Sequence, residues 1–537
     1  MRRPLIYFGT DGTHTTLYMI ADINTLPATI PHVLARASLR HPHATAVEGQ
    51  GRRMTFTELG QACNRAAAAF LAYGLRKGDR VAVWAPNIPD WIVVAVGAQS
   101  AGGVLVPLNT RLKGKEIGYI LRKSGARLLF TVGEFLGISY PEMLAGESLP
   151  TLERIIDLTG QARSLESFTE FVARGDSIGD TVIIAAREQL SAEDVADLMF
   201  TSGTTGDPKG VVSSHGQNVW SCDAWCTAVG LQLDDRYLIV NPFFHTFGYK
   251  AGWLACLLRG ATILPVPVFD AGAVMRSVVS DRISVLPGPP ALFQSMLAHE
   301  LCGRIDLSSL RLAVTGAANV PPILIERMRK VLGFRSVLTG YGLTEAPVVT
   351  MCRHGDGDER VALTCGTPVP GIEVKCVDAL GLDLVADQSG EVFVRGKNVM
   401  RGYFDDPAAT AEAIDADSWL HTGDIGVLDA NGYLRITDRK KDLFICGGFN
   451  CYPAEIEKIM SEHPAIAQVA VIGVPDQRMG EVGKAFVVLR PDAECDPGSI
   501  ESWCREHMAN YKVPRYIERV VALPTTASGK IQKFALR

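Results

Sequence analysis

The chain has 537 residues, 47% hydrophobic and 21% charged, with 53 Lys and Arg against 58 Asp and Glu for a formal net charge of -5. That length holds more than one hydrophobic core, and the balance is that of an ordinary soluble globular protein rather than a disordered chain. Slight acidity gives no electrostatic footprint for nucleic acid or an anionic membrane, and no apolar run has the length of a transmembrane segment. The 12 cysteines are scattered with no C-x-x-C pair, so reduced thiols, a cytoplasmic setting and no metal cluster are expected.

Residues 1–18 carry Arg2-Arg3 but no apolar h-region. A secretory signal is therefore not expected. A disordered extension, or a start assigned upstream of Met19, is. From 26–40 apolar residues recur at helical spacing, and Thr57 is placed to cap a helix through 66–73. Segment 79–84 reads as a strand, 90–102 as a small-residue helix, and 104–107, 127–132 and 195–200 as further strands. This alternation predicts parallel α/β layers. Later strands at 237–240, 283–286, 310–314 and 336–338 each run into a loop rich in Gly, Pro or hydroxyls. In parallel α/β sheets ligands bind beyond the carboxyl ends of strands, so these loops are expected to share one cleft. After Gly366 the pattern turns to short strands with an Asn431-Gly432 hairpin turn, and from about residue 440 a small α+β pattern of its own begins.

The string Thr201-Ser202-Gly203-Thr204-Thr205-Gly206-Asp207-Pro208-Lys209-Gly210 follows the 195–200 strand. Glycines let backbone N–H groups turn inward as an anion nest, hydroxyls add donors, and Lys209 adds a point charge. This suits a polyphosphate, although the Walker A spacing is absent; a flexible Gly/Ser/Thr surface loop is the plainer alternative. In Tyr341-Gly342-Leu343-Thr344-Glu345 an aromatic face suits adenine and a carboxylate suits Mg2+, while a lone loop glutamate is more often merely exposed. In His421-Thr422-Gly423-Asp424 the carboxylate suits ribose hydroxyls or else makes an Asx turn. Asp438-Arg439-Lys440-Lys441-Asp442 with Gly447-Gly448, and Pro524 to Ile531 around Lys530, complete the set.

These strings, in this order, resemble the adenylate-forming enzymes and in particular their acyl-CoA synthetases, over about residues 20 to 537. The resemblance implies an α/β fold with a large N-terminal domain of parallel sheets and a β-subdomain, 19–440, and a small mobile α+β domain, 441–537. It implies an acid–thiol ligase that uses ATP, Mg2+ and CoA on a small-molecule carboxylic acid. Thr201, Ser202, Gly203, Thr204, Thr205, Gly206, Lys209, Gly316, Ala317, Ala318, Tyr341, Gly342, Thr344, Asp424, Arg439 and Lys530 would bind the nucleotide. Thr204 and Glu345 would hold the metal, Gly447 and Gly448 the pantetheine, and Lys441 would be the hinge. Lys530, Glu345 and His245 would be catalytic.

The acyl pocket is expected at His245, Phe247, Tyr249, Lys250 and Gly340. An inward Lys250 would want a polar acceptor on the acid. Segments 241–252, 285–290 and 445–457 look like actinobacterial ligases of steroid-ring catabolism, implying a keto-bearing bicyclic propanoate. Medium-chain, long-chain and aryl acids stay open. So do a luciferase-type monooxygenase and a peptide-synthetase-like adenylation protein. The latter is disfavoured by Phe243-Phe244-His245, where an aspartate would be expected. A binding protein without activity should have lost Lys530 or Glu345, and both are present. Oligomeric state is not legible, a homodimer being one option.

Overall fold

The computed structural model describes residues 5–10, 15–20, 26–201, 208–316, 320–439, 442–446, 449–476, 479–491, 493–508, 510–525 and 531–536. The large part of the chain is built on two sheets. The first runs in the order Glu166–Ser167, Arg154–Asp157, Leu128–Thr131, Arg80–Trp84, Val104–Pro107, Val195–Thr201, Lys209–Ser214. Its strands are parallel up to the last pair, Val195–Thr201 and Lys209–Ser214, which is antiparallel. Val104–Pro107 and Leu128–Thr131 are buried along their whole length, as near-continuous apolar strands covered on both faces must be. Helix Pro89–Ser100 is buried almost all round. It crosses helix Phe56–Ala72 so closely that a Cβ at Gly97 would lie 2.6 Å from the Ala66 Cβ. The cap of that second helix is Thr55, not Thr57: Thr55 and Glu58 form a reciprocal capping box.

The second sheet contains Arg236–Ile239 and Thr262–Pro265 on one side and Leu312–Gly316 and Ser336–Tyr341 on the other. The expected strand at 283–286 is only a pair of bridges. Val285 links Tyr237 to Leu312 and so joins the two sides. Four antiparallel strands, Ile372–Val377, Ser389–Gly396, Leu420–Leu428 and Leu434–Arg439, form the β-subdomain. The turn between the last two spans 429–433, with Gly432 at φ +79°. One apolar core runs from Ile30 to Leu434. A separate core from Phe444 to Val513 fills the small C-terminal domain. The domain boundary expected between 440 and 441 lies outside the described residues.

Near the start, Leu5–Thr10 and Thr15–Ile20 pair antiparallel, Leu5 opposite Ile20. Met19, up to which a disordered extension or an upstream start is expected, lies in the second of these strands. Among the described residues no helix is long and apolar enough to cross a membrane.

Candidate active site

Strand Val195–Thr201 leads into the 202–207 loop and Lys209–Ser214 leads out, with Thr201 opposite Lys209. Ser202, Gly203, Thr204, Thr205 and Gly206 lie outside the described residues. So do Ala317, Ala318, Lys441, Gly447, Gly448 and Lys530, and only the backbone of Arg439 is described.

The strand leaving the loop is paired with a segment that sequence reasoning missed. Arg401 N donates to Val212 O at 3.0 Å, Val212 N to Gly402 O at 3.0 Å, and Phe404 N to Gly210 O at 2.7 Å. Tyr403 is thereby fixed between two expected site residues. Its hydroxyl donates to Glu345 Oε1 at 3.1 Å, and the Lys209 ammonium stands 5.1 Å from its ring centroid. Met400 N also donates to the Glu345 carbonyl at 2.7 Å. Burial first, then the Glu345 charge, pushes the Tyr403 phenol far above its ordinary value, so it stays a donor. The available signal was Arg401-Gly402-Tyr403, an aromatic behind a glycine at φ +138°.

Strands Leu312–Gly316 and Ser336–Tyr341 end side by side, Gly316 opposite Gly340. A Cβ at Gly340 would lie 2.3 Å from Met351 Sδ, so any larger residue there must displace the Met351 side chain. Tyr341, the last residue of its strand, donates its hydroxyl to Asp424 Oδ2 at 2.6 Å. Asp424 is not in a turn as its motif suggested. It lies inside strand Leu420–Leu428, opposite Arg439, where register shifts on both sides loosen the ladder. Beyond Tyr341 the chain doubles back through Gly342, where a Cβ would sit 2.7 Å from Val348 N. Val348 is held at φ +55°, a strained value for a β-branched residue. The buried Asn398 amide donates to the Pro347 and Val348 carbonyls at 3.1 and 3.3 Å. Thr344 and Glu345, on this doubled-back loop, are half-buried.

Before the expected acyl-pocket segment, the buried Asn87 amide donates to the Ile239 and Asn241 carbonyls at 3.1 and 3.0 Å and accepts from Phe243 N at 2.8 Å. This fixes the entry to His245, whose Nδ1 accepts from Phe247 N at 3.2 Å. His245 and Phe247 are half-buried. Tyr249 and Lys250 do not belong with them. Tyr249 is stacked on Trp253 at 4.6 Å, and its hydroxyl accepts from Gln99 Nε2 at 3.2 Å. Lys250 is 1% exposed and points into the core, where Nζ donates to Ser213 Oγ at 2.9 Å and lies 3.4 Å from Asp197 Oδ1. An internal carboxylate takes the charge that was expected to meet a substrate. The short π-helical turn Tyr249–Trp253 rotates both side chains inward.

Glycines at two adjacent strand ends, carboxylates held by the Tyr341 and Tyr403 hydroxyls, and Lys209 over the Tyr403 ring are the features of a nucleotide-binding α/β enzyme. Residues 34–404 match the AMP-binding enzyme family and residues 455–530 the AMP-binding enzyme C-terminal domain. The chain belongs to this family and is an acid–thiol ligase. It is 48% identical over 517 residues to a protein of Rhodococcus jostii (strain RHA1), covering 95% of this chain and 98% of that one. It is 47% identical over 520 residues to one of Mycobacterium tuberculosis (strain ATCC 25618 / H37Rv), covering 97% and 99%. Both are named as ligases joining a methyl-dioxo-octahydro-indenyl propanoyl group to CoA. A solved anthranilate CoA ligase in complex with anthranoyl-AMP superposes with a TM-score of 0.85 at 31% identity, over 96% of this chain and 97% of that one.

Proposed function

We propose that the chain activates a keto-bearing bicyclic propanoate with ATP and transfers the acyl group to CoA. The observation that carries the choice of acid is the full-length likeness to the two indenyl propanoyl ligases. An aryl acid is the second reading, favoured by the likeness to the anthranilate ligase.

In the first step a carboxylate oxygen of the acid attacks the α-phosphorus of ATP, and the bond to the leaving pyrophosphate breaks. In the second the CoA sulfur attacks the acyl carbon, the bond to AMP breaks, and the thiol proton is lost. Tyr341 offers its ring to adenine, while Asp424, oriented by the Tyr341 hydroxyl, accepts from ribose. The 202–207 loop and Lys209 bind the phosphates, with Arg439 near the ribose. His245, Phe247 and Gly340 would line the acid pocket, and Gly316 would bind the nucleotide. Lys530 would neutralise charge on the α-phosphate in the first step, Lys441 would act as pivot, and Gly447 and Gly448 would let pantetheine approach.

Mg2+ fits the residues present. Glu345 offers a hard carboxylate with one oxygen bonded to Tyr403, and among the described residues no group of three His, Cys, Asp or Glu side chains competes for a metal. Glu345, with Thr204, would hold the ion, which would neutralise phosphate charge when bound. The 12 free cysteines go with the cytoplasmic setting that belongs to this proposal.

The test is CoA-dependent AMP release and acyl-CoA formation with a panel of a bicyclic diketo propanoate, anthranilate, ferulate, octanoate and palmitate. The bicyclic acid should have the highest kcat/KM, by about tenfold or more, roughly 1.4 kcal/mol of transition-state preference. A higher value for any aryl or fatty acid overturns the choice of acid. Failure to release AMP with every acid overturns the ligase reading.

A further inference from the structure

We infer that the buried Asp197–Lys250 pair is a positioning strut that sets the acid-side segment against the strands carrying the phosphate loop. Asp197 and Ser213 face each other across the antiparallel pair whose connection is the 202–207 loop. Lys250 reaches both, with Nζ 2.9 Å from Ser213 Oγ and 3.4 Å from Asp197 Oδ1. The other carboxylate oxygen accepts from Asn218 Nδ2 at 2.5 Å, which ties in helix His215–Val229. The register of Val195–Thr201 shifts at this point, a bulge that turns Asp197 toward the lysine.

The lysine end is continuous with the acid side. Gly248 N and Tyr249 N both donate to the His245 carbonyl, at 3.0 and 2.9 Å, so 245–250 moves as one turn. Thr246 Oγ1 lies 3.8 Å from Met199 Sδ, further along the strand that holds Asp197. Gln99 adds a parallel tie, donating to the Ala196 carbonyl at 3.0 Å and to the Tyr249 hydroxyl at 3.2 Å. A displacement of Lys250 along the strand would therefore move His245 and Phe247 relative to the loop.

Stability alone does not explain a charge pair here. Apolar residues of similar volume often replace a buried ion pair without loss. What they lack is direction: an ammonium between a hydroxyl and a carboxylate has one seating, whereas packed methylenes have several. The strut deepens the reading of the active site proposed above, and its kinetic arm rests on that reading.

The test compares wild type with Lys250→Met, with Asp197→Asn combined with Lys250→Met, and with Ser213→Ala. Melting temperature, amide exchange in peptides covering 201–210 and 241–250, and kcat and KM for ATP and acid are measured. Lys250→Met should lower the melting temperature by leaving Asp197 unpaired. The double variant should recover it, yet exchange several-fold faster in both peptides without substrate. Its kcat should fall about 10–100-fold, the scale of a small misplacement of reacting groups, with both KM values within about threefold of wild type. Ser213→Ala should lower the melting temperature less than Lys250→Met and lose kcat by about 3–10-fold, covering the case in which the double variant does not fold. Wild-type kcat and exchange in a variant with native melting overturns the strut. The exchange arm uses no acid, so it decides the strut even if the wild type activates none of the panel.

Discussion

Each domain contains an ion pair in which one lysine fastens two elements distant in sequence, and the two differ in what surrounds them. Asp197 and Lys250 are sealed, with side chains 0% and 2% exposed, and every partner of the lysine is another side chain. Glu457 and Lys533 stand 2.8 Å apart at a margin, 17% and 15% exposed, and Glu457 also accepts from the Val471 backbone N at 2.6 Å. Lys533 opens the short turn Lys533–Leu536 just beyond the 526–530 loop, whose ends are held by the Thr525–Ile531 bridge. Both pairs span elements distant in sequence, but only the first has no water to fall back on. Burial costs charge most where relief is least, so a break in the sealed pair should cost far more.

The largest effect should therefore come from Asp197→Leu, which strands the Lys250 ammonium in the core. A loss of about 3–5 kcal/mol is expected, read as a fall in the denaturant midpoint of the large domain. A loss no larger than that of Lys533→Met would erase the contrast between the pairs.

Next is Tyr341→Phe, which leaves the fold alone and removes the donor that orients Asp424. A hydrogen bond to a charged group contributes about 1.5–3 kcal/mol, so kcat/KM for ATP should fall about 10–100-fold, in a variant that melts a few degrees lower but stays folded at assay temperature. A change confined to the acid KM would take Asp424 away from the nucleotide.

The comparison can be sharpened by pH, because the two domains bury titratable groups of opposite sign. In the large domain His215 is 1% exposed, and its ring accepts from Ile30 N at 3.4 Å. Burial holds it neutral, pushed down to about 3. A depressed histidine contributes stability above its unfolded value, near 6.5, which is lost as pH falls through that window. The loss is about 2 kcal/mol by pH 5. His215→Gln should flatten this slope between pH 7 and 5. In the C-terminal domain burial raises the Glu457 carboxyl, so its contribution is full below the ordinary carboxylate range and fades as pH rises through the raised value. Parallel pH slopes for the two melting transitions would contradict this assignment.

The smallest effect is expected for Lys533→Met, about 1 kcal/mol on the C-terminal transition, because the Val471 N–H still serves Glu457 and a raised carboxyl can take up a proton.

Much of this was legible in sequence. The strand at 195–201 and the α/β alternation rest on local composition and spacing, and the structure brings the Tyr341 and Asp424 strings together through the Tyr341 hydroxyl. Lys250 was misread because its partner, Asp197, lies on another strand and no local pattern announces the pairing. The π-helical turn that swings it inward has no spacing signature either. Tyr403 was missed for the same reason: its role comes from pairing 401–404 with Lys209–Ser214, a contact between distant segments. Asp424 sits in a strand because tertiary pairing to 434–439 overrides the turn chemistry of its Thr-Gly-Asp string.

The pairing of 401–404 with Lys209–Ser214 has a consequence for assembly. An exposed outer strand is a template on which another chain can add its own backbone. Here the outermost long strand of the seven-stranded sheet is covered by Arg401, Gly402 and Phe404 of the same chain. At the opposite end the sheet closes with Glu166–Ser167, a strand of only 2 residues. A strand added at the Lys209–Ser214 end would find the Gly210 and Val212 peptide groups already bonded within the chain.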